Sequence, residues 1–306
     1  MIWNSIFLSA DLRLRPIWRA LLFLPLFVLL AIPIVIVGTL VAGPDRVQDN
    51  LEVGFIVQGV VLTAAPLLAG WILLRLLDRR SFRTLGLWFY DGWGRELLWG
   101  LAGGLGLMSV LVGALVALGQ VHLSFASLDV RSVLLGLGWN VVVFFGAAAG
   151  EEILFRGYPF QRLVESWGAF AAVFVLSALF GWGHLSNPSA TPLSTANTVL
   201  MGILLALAYL KTRALWFPIG LHFSWNFVMA AVYSLPVSGI VVQRQLLVAT
   251  ISGPDWLSGG NYGPEGSVLT TAVALLAILW LARTRRLRVS PAQAKEVELS
   301  RAGGEP

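Results

Sequence analysis

The chain has 306 residues, of which 57% are hydrophobic and 12% charged, with a formal net charge of +5. An average soluble domain carries about 25% charged residues, so this composition excludes a soluble globular enzyme and a disordered tail protein. A nucleic-acid binder is excluded as well, because the basic residues stand at the ends of apolar runs and form no groove-lining stripe. Cysteine is absent, which removes disulfides, a thiol nucleophile and any Cys-ligated metal. Among the 21 basic residues only Lys211 and Lys295 are lysine. With the abundance of Ala, Gly and Leu, this points to a GC-rich prokaryotic genome, and the expected location is the prokaryotic inner or plasma membrane.

A membrane-crossing helix needs about 20 mainly apolar residues. In chain order such runs occur at Ala20–Ala42, Val53–Leu74, Leu97–Val121, Ser132–Gly150, Ser166–Gly183, Leu185–Leu210, Ala214–Gln243 and Gly266–Ala282. The expected fold is therefore all-α: a polytopic bundle of about eight transmembrane helices forming one integral membrane domain over residues 1–282. The first run is longer than a signal-peptide core and has no small-residue cleavage site behind it, so it reads as retained. Cytoplasmic connections collect Lys and Arg. With the N-terminus inside and the spans alternating, eighteen of the 21 basic residues fall on the inner side and only Arg46, Arg131 and Arg244 on the outer. Both termini are then cytoplasmic. Residues 283–306 read as a polar cytoplasmic tail, basic at its start and able to favour anionic lipid.

Between the second and third spans, Ser81 to Glu96 mixes Phe82, Leu85, Leu87, Trp88, Phe89, Tyr90 and Trp93 with charges. It reads either as an interfacial amphipathic segment or as an aromatic belt at the headgroups. Gly100 and Gly104 in the third span fit close helix packing. No internal repeat, phosphate-binding Gly loop or second domain is visible, and His122 and Arg131, in an outer loop, are assigned nothing.

Ionisable groups at membrane depth are expensive and hence functional candidates. Three groups stand out: Glu151, Glu152 and Arg156; Phe180 and His184; His222 and Asn226. Glu152 and Arg156 are four apart with the acid first, the favourable order for a helical ion pair. Glu151 points about 100° away, at 3.6 residues per turn, so one carboxylate is neutralised while the other is left for chemistry. His222 and Asn226 share a face.

For Glu151 to meet His184, the fourth helix must run on to about Ser166, turn at Trp167–Gly168 and return. Both residues then stand roughly 23 Å from the turn, with Arg156, Arg162 and Glu165 on a protruding cytoplasmic end. The three groups converge on one cavity open to the cytoplasm. A carboxylate beside two imidazoles can activate water as a general base, with imidazole and amide holding an oxyanion. Glu151, His184 and His222 are equally a ligand set for catalytic Zn2+. Both routes lead to peptide hydrolysis.

At these residues the sequence resembles the CPBP family of intramembrane proteases, which includes the CAAX prenyl endopeptidases and the bacterial Abi-type proteins. The family pattern E-E-x-x-x-R, then F-x-x-x-H, then H-x-x-x-N is matched at Glu151-Glu152-Arg156, Phe180-His184 and His222-Asn226, within a core of about residues 81–232. The resemblance implies a cytoplasm-facing endopeptidase in which Glu151 activates water. Glu152 and Arg156 would be an orienting pair, and His184, His222 and Asn226 would line the site and hold the oxyanion. Phe180 reads as packing. The expected partners are membrane lipids and a peptide or lipidated protein substrate, with no nucleic acid. The metal, the substrate and the oligomeric state stay open, with a lean towards no obligatory metal. The alternatives are a non-catalytic immunity or scaffold protein of the same family and, ranked last, a proton-coupled transporter. No inverted repeat of broken helices supports the transporter.

Overall fold

The computed structural model describes residues 6–9, 12–127, 129–242 and 246–301; Arg244, counted above on the outer side, lies outside them. Each apolar run carries a helix: α1 (Pro16–Ala42), α2 (Leu51–Leu73), α3 (Trp93–Ala117), α4 (Val130–Arg156), α5 (Tyr158–Gly183), α6 (Pro192–Thr212), α7 (Trp216–Phe227) and α8 (Val268–Arg283). A further polar helix, α9 (Pro291–Arg301), follows. The starts are legible chemically. Asp129 caps α4 by accepting from the Ser132 amide, and Thr191 and Ser194 form a reciprocal capping box at α6 ahead of Pro192. The hydroxyl and amide of Ser132 hold the exposed Asp129 carboxyl below its ordinary pKa.

Among the described residues, five stretches are long and apolar enough to cross a membrane, and one of them, Val130–Gly183, is 54 residues long because it contains both α4 and α5. α7, extended by a π-helical turn to Val232, and α8, with 16 residues, are shorter than the about 20 residues of a full crossing. Large apolar side chains face outward all along the bundle, for example Leu29, Leu40, Val110, Leu134 and Phe170. Water would penalise such a surface; a hydrocarbon solvent does not.

The continuation past Gly150 is as expected. α4 runs on to Arg156, bends at Gly157, and α5 breaks at Gly168 with φ 82° and ψ 167°. That backbone lies where side chains carrying a Cβ are strained, which is why glycine stands at the turn. The chain doubles back there, since the rings of Phe155 and Phe180 lie 5.1 Å apart. A straight helix would separate residues 25 apart by about 37 Å.

Connections sort into two groups. Those after α1, α3, α5 and α7 carry few arginines. Strands β1 (Val121–Phe125) and β2 (Leu247–Ile251), from the second and fourth of them, pair antiparallel with Val121 opposite Ile251. The sequence reading placed no strand there, because two five-residue apolar segments look like span ends or loop until they meet. A Cβ at Gly239 would overlap the Pro188 carbonyl, so the connection after α5 joins the same group. The arginine-rich connections meet each other in turn: the Leu215 amide donates to the Gly86 carbonyl at 3.1 Å, and Arg80 pairs with Glu165 at 2.5 Å.

One expectation needs correction on the arginine-rich side. The tail is not merely a solvated extension. Within α9, Gln293 is buried, donates to the Arg213 carbonyl at 2.9 Å and accepts from the Trp88 indole at 2.7 Å. Residues 81–96, read as an interfacial amphipathic segment or an aromatic belt, gather their aromatic side chains. One 3-10 turn (Phe82–Leu85) leads into an aromatic cluster of Phe89, Trp93 and Trp216. Beside it the buried Tyr90 donates to Glu96 at 2.7 Å, and burial first, then Glu96, pushes its hydroxyl well above its ordinary pKa.

α3 and α7 lie side by side and parallel, joined through the small residues noted in the sequence. A Cβ at Gly100 would overlap the Phe217 carbonyl, and one at Gly104 the Leu221 carbonyl and the Ser224 hydroxyl. This contact sets the position of His222. Gly104→Val is therefore expected to separate the two helices and lower the thermal unfolding midpoint of the detergent-solubilised protein by several degrees. The same change at Gly106, where nothing lies within 4 Å of a built Cβ, should leave the midpoint in place.

Candidate active site

Glu152 is fully buried, and one of its oxygens, Oε1, accepts from both Arg156 Nη1 and His222 Nδ1, each at 2.9 Å. Arg156 spends a second nitrogen on the Gly202 carbonyl at 3.0 Å. Its guanidinium lies 4.8 Å from the centroid of the Phe180 ring, a cation–π placement that suits a desolvated arginine. A buried carboxylate is tolerable only with its counter-charge and hydrogen bonds in place, and α4 supplies the counter-charge one turn further on. Arg156 and Arg162 do not sit on a solvated protruding end as expected. Both are buried, because each finds a carboxylate inside the bundle.

The two glutamates part company as the helical geometry requires. Glu151 faces a cavity of about 230 Å³ lined also by Phe180, His184, His222 and Asn226. Its Oε2 stands 3.7 Å from His222 Nε2, too long for a hydrogen bond, and has no hydrogen-bond partner although it is buried. The Glu152 carboxylate only accepts, so His222 Nδ1 donates to it and Nε2 is the nitrogen turned to Glu151. His184 ends α5, and its Nδ1 lies 2.8 Å from the Phe180 carbonyl. A carbonyl only accepts, so His184 Nδ1 carries a proton and donates it there, and Nε2 is left to other contacts. The histidine thus caps its helix and lines the cavity at once. Phe180 is more than filler: its ring lies 4.7 Å from the His184 ring and 6.0 Å, edge to face, from that of His222. It separates the buried Arg156 from the cavity.

The test for a metal is whether Glu151, His184 and His222 close around one point. Among the described residues no group of three or more His, Cys, Asp or Glu side chains is gathered so as to hold a metal ion. In this geometry the three residues do not form the site that Zn2+ would need, and no step below passes through one.

Sequence reasoning missed part of the cavity wall. Glu265, just before α8, lines it together with Asn197, Thr198, Ser238 and Thr270. Its carboxylate accepts from the Trp225 indole at 3.1 Å and from the Ser238 amide and hydroxyl, both at 2.8 Å. Asn197 donates to the carbonyls of Glu265 and Ser267 at 2.8 and 2.9 Å. The polar start of the sixth apolar run was a signal for Asn197. Glu265 had none, since it stands in a Gly-rich connection without periodicity. Asn187, Val237, Ser238, Ile240, Val242 and Glu265 come from the arginine-poor connections, and none of the lining residues comes from an arginine-rich one.

Residues 133–228, about a third of the chain, match the family model for Type II CAAX prenyl endopeptidase Rce1-like. The match takes in all three polar groups. No curated protein matches the chain, and no solved structure does.

Proposed function

We propose that the chain is an intramembrane endopeptidase that hydrolyses peptide bonds within or beside the membrane, using Glu151 as the general base. The observation that carries the reading is the division of labour between adjacent carboxylates: Glu152 is consumed by Arg156 and His222, while Glu151 Oε2 is buried, unpartnered and turned to the cavity. A water between Glu151 and the scissile carbonyl gives its proton to Glu151 as its oxygen attacks the carbonyl carbon. The tetrahedral oxyanion is then held by Asn226 and an imidazole. Glu151 returns the proton to the leaving amine. Glu152 acts through His222, fixing its tautomer and orientation as a buried carboxylate does for a catalytic imidazole. In this reading α1–α8 cross the membrane, the arginine-rich connections are cytoplasmic and the membrane is that of a prokaryote.

The test compares peptide and membrane-protein termini, by mass spectrometry, in cells carrying the wild type or Glu151→Gln at equal levels in the membrane. New termini present only with the wild type are expected. Identical termini in both would sink the protease reading and leave a scaffold or immunity role.

A further inference from the structure

Resting on that reading, we infer that the scissile segment reaches Glu151 from the side of the membrane opposite the arginine-rich connections, so that the substrate class is an exported or translocated peptide rather than a cytoplasmic chain end. Three independent observations meet here. The first is the charge asymmetry: away from the buried Arg19, Arg156 and Arg162, exposed basic residues such as Arg75, Arg79, Arg283, Arg285 and Arg286 stay on one side, which the positive-inside rule makes cytoplasmic. The second is the pairing of β1 with β2 and the Gly239–Pro188 approach, which put the connections after α3, α5 and α7 together, away from that side. The third is the cavity itself. Its wall beyond the carboxylate–imidazole group is built from Asn187, Ser238, Ile240 and Glu265, all of that second group.

On the cytoplasmic side the way is closed by packed charge and carbon. Glu152, Arg156 and the Phe180 ring lie directly beneath Glu151. Below them Arg162 is buried against Asp78 and Glu165. On the other side Gln58 of α2 and Gly183 at the end of α5 are lining residues that are themselves exposed, which marks the mouth between those two helices. Glu265 gives this approach a negative wall, because Glu151 and Glu265 both line the cavity, no arginine or lysine is among its described lining residues, and the nearby Arg156 is screened behind Phe180. A peptide with cationic or amide-rich flanks matches such a wall.

The absence of cysteine makes the test direct, since any introduced thiol is unique. Single variants Asn187→Cys and Gln58→Cys report the cavity mouth, Phe125→Cys the β1 side and Arg285→Cys the arginine-rich side. Each is treated with a small membrane-impermeant maleimide in spheroplasts and in inverted vesicles. Asn187→Cys and Gln58→Cys are expected to react in spheroplasts together with Phe125→Cys, and Arg285→Cys only in inverted vesicles. Reaction of the mouth thiols only in inverted vesicles overturns the inference, as does their failure to react from either side while Phe125→Cys and Arg285→Cys respond. So does reaction of Phe125→Cys from the arginine-rich side. Labelling needs no proteolysis, so a correct labelling pattern with unchanged termini in the Glu151→Gln comparison would remove the protease reading and leave the access route standing. Where termini do change, they should fall in exported segments, and termini confined to cytoplasmic chain ends would overturn the route alone.

Discussion

Glu151→Gln should reduce turnover of the peptide identified from the new termini by about 10²–10⁴-fold, the range for removing a positioned general base, or roughly 3–5 kcal/mol of barrier. The amide keeps the size of the carboxylate and takes away its capacity to accept a proton. Glu151 has no hydrogen-bond partner to lose at Oε2, so stability should hold. Glu152→Gln should behave differently. It strips the counter-charge from the buried Arg156 and puts a neutral amide, with one acceptor oxygen for Arg156 and His222 to share, in place of the carboxylate, so both the unfolding midpoint and the rate should fall. Measuring kcat and the midpoint side by side separates the two. If Glu151→Gln destabilised the protein while Glu152→Gln did not, the roles assigned to the two carboxylates would be reversed.

Asp78→Ala should cost about 3–5 kcal/mol of stability, the magnitude for removing one partner of a buried ion pair. The Asp78 side chain is completely buried at the end of the π turn that closes α2, and its Oδ1 accepts from Arg19 of α1 at 2.6 Å and from Arg162 of α5 at 2.8 Å. Removing it strands two guanidinium groups in a region of low dielectric. Because Arg162 also reaches Glu165 at 3.0 Å, and Glu165 pairs with Arg80, the junction ties α1, α2 and the α4–α5 hairpin together on the arginine-rich side. The measurement is thermal unfolding in detergent. Asp78→Ala with Arg19→Met and Arg162→Met should recover much of the loss, since no uncompensated charge is then buried. A midpoint unchanged by Asp78→Ala alone would show that the junction carries no stability.

Much of this molecule was written in local pattern. The eight apolar runs each became a helix because burying or embedding apolar surface is a property of the run itself. The break at Gly168 was legible because glycine there follows a run that must reverse for Glu151 and His184 to meet. The i,i+4 relation of Glu152 and Arg156, and that of His222 and Asn226, follow from helix geometry alone, and with them the separation of a neutralised glutamate from one facing the cavity. The family resemblance rested on those same spacings and is borne out over residues 133–228.

Other features depended on partners far along the chain, and only the tertiary structure decided them. Arg162 looked like a solvated cytoplasmic charge because nothing near it announces that Asp78, 84 positions earlier, will be buried against it. β1 and β2 exist only as a pair, each supplying the hydrogen bonds the other lacks. Gln293 docks because the Arg213 carbonyl and the Trp88 indole happen to face it. Glu265 reaches the cavity wall through Trp225 and Ser238, which no spacing rule connects to it. Sequence brought the carboxylate and the two imidazoles to one cavity, but which connections line it is set by long-range packing, and those came from the arginine-poor group.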